Sequence, residues 1–288
     1  MQRQGIDLHL HTTCSDGTRT VAEMIQDAKE FGLNAIAITD HNQFALCDPM
    51  YFDEIDVIPG AEFSTFYRIT SGRLLEVHVV GLFFEGVPKE LQSVFRKISI
   101  QRKQYLDAII TRLNNLGISL SYEELVYNFP DSNQIGRRHI AEILVKKGYA
   151  ESITDVFDRL IGNRSPYWVD STKYMKYMSL ESCVHKICEY GGLPILAHPY
   201  HYHCTDEEVM ELIRVFKEMA GDHPAGLEVY YSKYDQSRRA ELLKIAECFG
   251  LYPSAASDRH GRKDPFECGD PSLLTVMKQA CKVRKHIE

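Results

Sequence analysis

No apolar run in this chain approaches the ~20 residues that a membrane span requires, so no transmembrane helix is expected. The first residues, Met1-Gln2-Arg3-Gln4-Gly5, carry charge with no apolar stretch behind it, and no secretory signal is expected. Positive charge is not in excess either. Lys and Arg total 33 against 40 Asp and Glu, a net charge of -7. That balance argues against gripping long nucleic acid by a general basic surface, and it leaves only a local basic pocket open. The eight cysteines (Cys14, Cys47, Cys183, Cys188, Cys204, Cys248, Cys268 and Cys281) form no paired two-residue spacing. Neither a zinc ribbon nor a small disulfide scaffold fits, and the expectation is reduced thiols in a cytoplasmic protein. Internal repeats, linkers and low-complexity tracts are also missing.

What remains is an ordinary globular composition, with 44% hydrophobic and 25% charged residues over 288 positions. A chain of this length buries about three quarters of its unfolded surface and needs no staples. Ile6-Asp7-Leu8-His9-Leu10 reads as a strand, followed by a polar loop through Gly17. Thr20-Val21-Ala22-Glu23 is a capping box, Val21, Met24, Ile25, Ala28 and Phe31 make one apolar stripe, and Gly32 ends the helix. A second strand, Ala35-Ile36-Ala37-Ile38, runs into Thr39-Asp40-His41. The same rhythm returns at Val57–Ala61, Leu75–Gly81, Leu193–Ala197, Gly226–Tyr230 and Tyr252–Ser257, with helices from Thr205 to Met219 and from Gln236 to Phe249. Strands alternating with helices favour a parallel α/β barrel or sheet, here with seven strands, one short of the usual eight. The rhythm breaks over residues 88–176, which read as helical: Leu91 to Asn115, a short helix opened by Ser121-Tyr122-Glu123-Glu124, Gly136 to Lys147 and Thr154 to Ile161. The expectation is one interrupted domain: a barrel from residues 1–87 and 177–288, and a helical insertion, 88–176, covering its active site.

The chemistry lies at the strand ends. His9 and His11, Asp40 and His41, Glu62, His198, and Asp258 and His260 all follow strands. In parallel α/β folds that end carries the active site. Imidazoles and carboxylates converging on one mouth need a counterpart, and a cation such as Zn, Mn or Fe suits that donor set. His9 and His11 are two apart on a strand and share one face, so both can reach one metal. Taken singly, each is an ordinary satisfied polar group; His78 inside an apolar strand could equally be a buried histidine on a backbone partner. Repeated at strand after strand, they point to metal.

These segments resemble the polymerase and histidinol phosphatase (PHP) family of metal-dependent phosphoesterases. The match runs through Asp7-Leu8-His9-Leu10-His11, Ser15-Asp16-Gly17, Thr39-Asp40-His41, Gly60-Ala61-Glu62, His78-Val79-Val80-Gly81, Ala197-His198-Pro199 and Ser257-Asp258-Arg259-His260, in the family's order. The resemblance implies a distorted seven-stranded (β/α) barrel and two to three divalent metal ions (Mn, Fe or Zn). The implied ligands are His9, His11, Asp16, His41, Glu62, His78, His198, Asp258 and His260. On the family pattern His9, His11, Glu62 and Asp258 hold one metal, Glu62 bridges to a second held by His78 and His198, and Asp16, His41 and His260 hold the third. Such metals make hydroxide accessible near neutral pH and neutralise phosphoryl oxygens. Asp40 is either an outer carboxylate orienting an imidazole or a strand-end cap.

Ile135-Gly136-Arg137-Arg138-His139 opens a helix of the insertion, a place that favours anions. It resembles the insertion of the family's nucleotide-phosphatase branch, which implies that Arg137 and His139 contact substrate, with Arg138 as the competing arginine. On pattern alone the same segment is an exposed basic turn. Arg259 is either an extra phosphate clamp or a surface arginine, and Glu228 either orients a ligand or caps a strand. His201 and His203 read as loop residues. The expected activity is hydrolysis of a small phosphorylated metabolite, a nucleotide or ribose phosphate, including cyclic phosphate or short-oligonucleotide diesters, with neither membrane nor long nucleic acid as partner. Histidinol-phosphate phosphatase is the alternative within the chemistry, and a non-catalytic metal-binding regulatory module the alternative outside it.

Overall fold

The computed structural model describes residues 5–284 apart from 53, 131, 133, 134 and 164; residues 1–4, read above for a leader, lie outside it. Along the chain come β1 (Ile6–Leu10), α1 (Val21–Phe31), β2 (Ala35–Ile38), β3 (Met50–Phe52), β4 (Ile55–Arg68), β5 (Leu74–Leu82) and the short α2 (Lys89–Gln92). Among the described residues helices then follow without a strand: α3 (Arg96–Asn115), α4 (Tyr122–Asn128), α5 (Arg137–Lys146) and α6 (Ile153–Val156). The alternation resumes with α7 (Leu180–Glu189), β6 (Leu193–Leu196), α8 (Asp206–Ala220), β7 (Gly226–Tyr231), α9 (Gln236–Phe249), β8 (Tyr252–Ala256) and α10 (Pro271–Arg284). Two compact units result. One comprises Met1–Thr12, Gly17–Gln92 and Tyr177–Glu288; the other comprises Thr13–Asp16 and Ser93–Lys176. Among the described residues no helix is long and apolar enough to cross a membrane.

The first unit is a nearly closed barrel of seven strands in the order β1-β2-β4-β5-β6-β7-β8, with β3 paired to the start of β4. The expected strand count holds, but the expectation of parallel strands throughout does not. β5 runs antiparallel to both β4 and β6. The reason is the connection: β4 continues to Arg68 and turns back over five residues, with Gly72 at φ +86, too short for the crossover a parallel pair needs. The seam between β8 and β1 is stitched by single bonds. Asp258 N–H donates to His9 O at 3.0 Å, His11 N–H to Arg259 O at 3.0 Å, and Ile6 and Gly269 exchange a pair. Asp7, fully buried, completes the seam by accepting from Ser257 N and Glu267 N, both at 3.0 Å. Burial pushes its carboxyl up to about 7 against the pull of those donors.

Two apolar layers hold this unit. Ile6, Leu8, Ala37, Ile58, Val80, Leu82, Ile195 and Ala255 fill the barrel, joined by Leu274 and Met277 of α10. Met24, Ile25 and Ala28 of α1 pack on Leu10, Ile36, Ile38 and Val57 from outside. α1 forms as its sequence dictates, with the Thr20/Glu23 capping box and Gly32 in the left-handed conformation. α7 and α10 lie outside the expected helices, although α7 buries Leu180, Cys183, Val184 and Ile187 at helical spacing.

Candidate metal centre

Strand geometry brings the strand-end residues together inside the barrel mouth. On β1, strict alternation would give Leu8 and His9 opposite faces. Leu8 fills the interior and Leu10 packs outside against α1, so the inward parity changes between Leu8 and His9. The register shift between Asp7 and Leu10 makes that change, re-aiming His9 and His11 inward. Both are fully buried, and their Nε2 atoms stand 3.0 Å apart. Gly17 folds tightly over this strand end: a Cβ there would lie 2.3 Å from His11 O. Glu62 and His78 are diagonal neighbours across β4 and β5, since Glu62 pairs with Val80 and Ser64 with His78. His198 and Asp258 leave β6 and β8 at φ +26 and +55, a backbone region that non-glycine residues rarely occupy and that clusters at functional sites.

Glu62 is the hub. Its Oε1 lies 2.8 Å from His78 Nδ1, 3.0 Å from His198 Nε2 and 3.5 Å from His9 Nε2. Its Oε2 lies 2.7 Å from His41 Nδ1 and 3.4 Å from His11 Nε2. Asp258 Oδ1 is 3.3 Å from His11 Nε2, while its Oδ2 accepts from Tyr231 Oη at 2.9 Å and faces Lys233 Nζ at 3.4 Å. His260 stacks on His11 with ring centroids 4.1 Å apart. Burial opposes charge on Glu62, but His78, His41 and His9 hold its carboxyl well below the usual range. Asp258 behaves alike through His260, His11 and His9. In return Glu62 overcomes burial to raise His78 to about 10, and Glu228 and Glu62 raise His9. His11 goes the other way. Burial and the neighbouring His260 and His41 push it down to about 3.

The donor set fits divalent cations. His9 Nδ1 donates to Glu228 Oε1 at 2.7 Å, and a carboxylate can only accept, so neutral His9 turns an Nε2 lone pair toward the mouth. His260 Nδ1 likewise donates to Asp258 O at 2.8 Å. His198 Nδ1 is buried without a hydrogen-bond partner. Ligand atoms of His9, His11 and Asp258, of His9, Glu62 and His198, of His41, Glu62 and His78, and of His11, His41 and His260 lie mutually within 4.8 Å. Glu62 belongs to two of these groups. His198 gathers with His9, and His78 with His41, where the resemblance paired His78 with His198.

Each of the other expected residues has its own set of partners. Arg259 does not enter the cluster. Its guanidinium bonds Asp27 Oδ2 and the carbonyls of Arg262 and Asp264 and stacks over Phe266 at 4.1 Å. The clamp expectation is therefore corrected to a buried structural arginine. Asp40, weighed as an imidazole acceptor, takes Thr12 N at 2.8 Å and Thr12 Oγ1 at 2.7 Å, fixing the backbone just after His11. His201 and His203 sit on and after the turn Pro199–Tyr202 and join none of the ligand groups. Asp16 belongs to the second unit. There Arg137 Nη1 donates to Asn163 Oδ1 at 2.8 Å, His139 Nδ1 accepts from Gly136 N at 2.9 Å, and Arg138 pairs with Glu142. Tyr231 and Lys233 at the end of β7 were not singled out, although the strand-end rule that found the histidines also points to them.

Glu228 is resolved as an orienting carboxylate. Its second oxygen accepts His198 N–H at 2.7 Å, so it holds two candidate ligands at once. A glutamine has one accepting oxygen and cannot serve both donors. Glu228→Gln is expected to weaken metal affinity ~10–100-fold, the range for losing an outer partner, as read by titrating the metal-free protein with Mn or Zn.

The comparisons agree with this geometry. A PHP domain model matches residues 7–232. A 5'-3' exoribonuclease from Haemophilus influenzae is 28% identical over 267 residues, covering 91% of this chain and 90% of that protein. A 3',5'-nucleoside bisphosphate phosphatase from Chromobacterium violaceum is 28% identical over 259 residues, covering 88% and 87%. A solved structure of an amidohydrolase from Chromobacterium violaceum, with bound sulfate and no metal, superposes with a TM-score of 0.81 at 24% identity over 96% of both chains. With its barrel, its ordered strand-end motifs and most of its length matched, the chain belongs to the PHP domain family.

Proposed function

We propose that this chain is a metal-dependent phosphoesterase acting on nucleotide-type phosphate esters, with two to three divalent ions (Mn, Fe or Zn) held by His9, His11, Asp16, His41, Glu62, His78, His198, Asp258 and His260. The observation that carries this is Glu62: one buried carboxylate with imidazole nitrogens on both oxygens, shared by two ligand groups. Divalent ions supply charge neutralisation at phosphoryl oxygens and lower the pKa of water. The chain's own residues set the geometry. Glu228 fixes the His9 tautomer, Asp40 anchors Thr12 beside His11, and Tyr231 and Lys233 share the outer oxygen of Asp258.

Relatives named as a nucleoside bisphosphate phosphatase and as a phosphoribosyl cyclic phosphate diphosphodiesterase support a small phosphorylated substrate. Those named exoribonucleases support a second reading, stepwise hydrolysis of RNA, so RNA belongs among the substrates to test. Phosphate or nucleotide release should be followed on nucleoside bisphosphates, nucleoside monophosphates, cyclic ribose phosphates, histidinol phosphate and short and long RNA, each with Mn, Fe and Zn. No release from any substrate with any metal overturns the reading, and release from histidinol phosphate alone overturns its nucleotide part.

Arg137 and His139, proposed as substrate contacts, give a sharper test. Charge-assisted contacts are worth roughly 1.5–3 kcal/mol, or about one to two powers of ten in rate. Arg137→Ala should lower kcat/KM on the nucleotide substrate by about that factor with metal content intact. A minimal aryl phosphate should lose much less. Equal losses on both would make the residue structural.

A further inference from the structure

The ladder between β5 and β6 contains an inserted side chain. These strands pair regularly from Val79/Leu196 to Leu82/Leu193. The next antiparallel pair is His78 and Ala197, and half of it is normal: Ala197 N–H donates to His78 O at 3.1 Å. The return bond, His78 N–H to Ala197 O, is absent. The Tyr202 hydroxyl stands in its place, accepting from His78 N at 2.9 Å and donating to Ala197 O at 2.7 Å. The same chain segment supplies it. After His198 the chain makes the tight turn Pro199–Tyr202, which returns the phenol to the strand end just left.

We propose that Tyr202 is a positioning residue that sets the spacing of His78 and His198 around Glu62. The hydroxyl bridges His78 N–H and Ala197 O at the last pair before the mouth, while the other half of that pair stays directly bonded. On one side of the wedge is His78, whose Nδ1 meets Glu62 Oε1 at 2.8 Å. On the other is Ala197 O, the carbonyl of the peptide that leads into His198 at φ +26. His198 N–H is tied to Glu228 Oε2. The His198 backbone is thus gripped from both sides, and its Nε2 reaches the same Glu62 oxygen at 3.0 Å. Without the hydroxyl, His78 N–H and Ala197 O must either close on each other or take in water. Either outcome removes the fixed tether between the backbones that carry His78 and His198, and the imidazoles lose their set spacing around Glu62.

The inference rests on the metal reading of the cluster, and cobalt(II) tests it independently of turnover. Tyr202→Phe removes one oxygen and keeps the ring between His78 and His198, so it probes the hydroxyl and not the packing. Cobalt affinity and the visible d–d spectrum are measured on the metal-stripped parent, on Tyr202→Phe, and on Tyr200→Phe, a control in the same turn. The expected result is a ~10–100-fold weaker cobalt affinity for Tyr202→Phe, the range for losing an outer partner, with an altered spectrum at saturating cobalt and parental behaviour for Tyr200→Phe. An affinity and spectrum equal to the parent's, even with a lowered Tm, overturn the proposal and leave the metal reading standing. A parent that takes up no cobalt overturns the metal reading and this inference with it.

Discussion

Glu62→Gln should strip metal and activity together, with kcat/KM falling by more than the ~100-fold upper range of an outer-partner loss. The amide matches the carboxylate in shape, so the change is one of charge and acceptor number. Glu62 is fully buried and presents two anionic oxygens to His78, His198 and His9 on one side and to His41 and His11 on the other. Glutamine offers one neutral oxygen and turns an NH2 toward the other set, where it can meet neither a lone pair's cation nor an imidazole donor. Both ligand groups that share Glu62 lose their anion at once. The histidine charge set by that anion goes too, so the His78 imidazole, held at about 10 by Glu62, should titrate much closer to its ordinary value. Metal content by elemental analysis and turnover of the best substrate are the two readouts. Full occupancy with normal turnover would remove Glu62 from the ligand set.

Much of this site was legible because its residues follow strands, and a strand's end can be read from where an apolar run stops. His9, His11, His41, Glu62, His198, Asp258 and His260 all follow such runs, and the barrel gathers these five imidazoles and two carboxylates, with His78, into overlapping ligand groups. Strand direction was not legible. A period-two apolar pattern is the same read either way, and only the short connection to β4 reveals that β5 runs antiparallel. The bulge in β1 was invisible for a similar reason: Leu8 and Leu10 look equivalent in sequence yet face different layers. Arg259 is a further such case. Its neighbours Asp258 and His260 both turn toward the cluster, while Arg259 itself is received by Asp27 and Phe266. Glu228 and Tyr202 act through hydrogen bonds to residues 219 and 124 positions away, and no local pattern encodes such partners.

Removing the metals with a chelator should abolish turnover and, in addition, make stability fall as pH rises. In the metal-free chain His78 lies near 10 and His9 is also raised, against an unfolded value of 6.5. A raised histidine contributes stability that is fully present below 6.5 and is lost as pH climbs toward its folded value. From pH 7 to 9 the chelated protein should therefore become steadily less stable. Metal binding requires those same imidazoles neutral, so each ion bound expels protons and its affinity rises with pH over the same window. Every proton expelled is worth about 1.4 kcal/mol per pH unit, or roughly 3–6 °C in Tm for a chain of this size. Groups that titrate lower do not disturb the comparison. His11, near 3, loses its contribution only as pH falls below 6.5, and the rise of Asp7 to about 7 is exhausted about one pH unit above that value. Asp7 acts in the loaded and chelated protein alike and cancels in the difference, while His11, already neutral above pH 7, releases no proton on binding metal there. The Tm gap between the metal-loaded and chelated protein should widen from pH 7 to pH 9, measured by thermal unfolding at fixed free Mn or Zn. A gap that stays constant or narrows would mean that His9 and His78 do not exchange protons for metal, and the ligand assignment would fail with it.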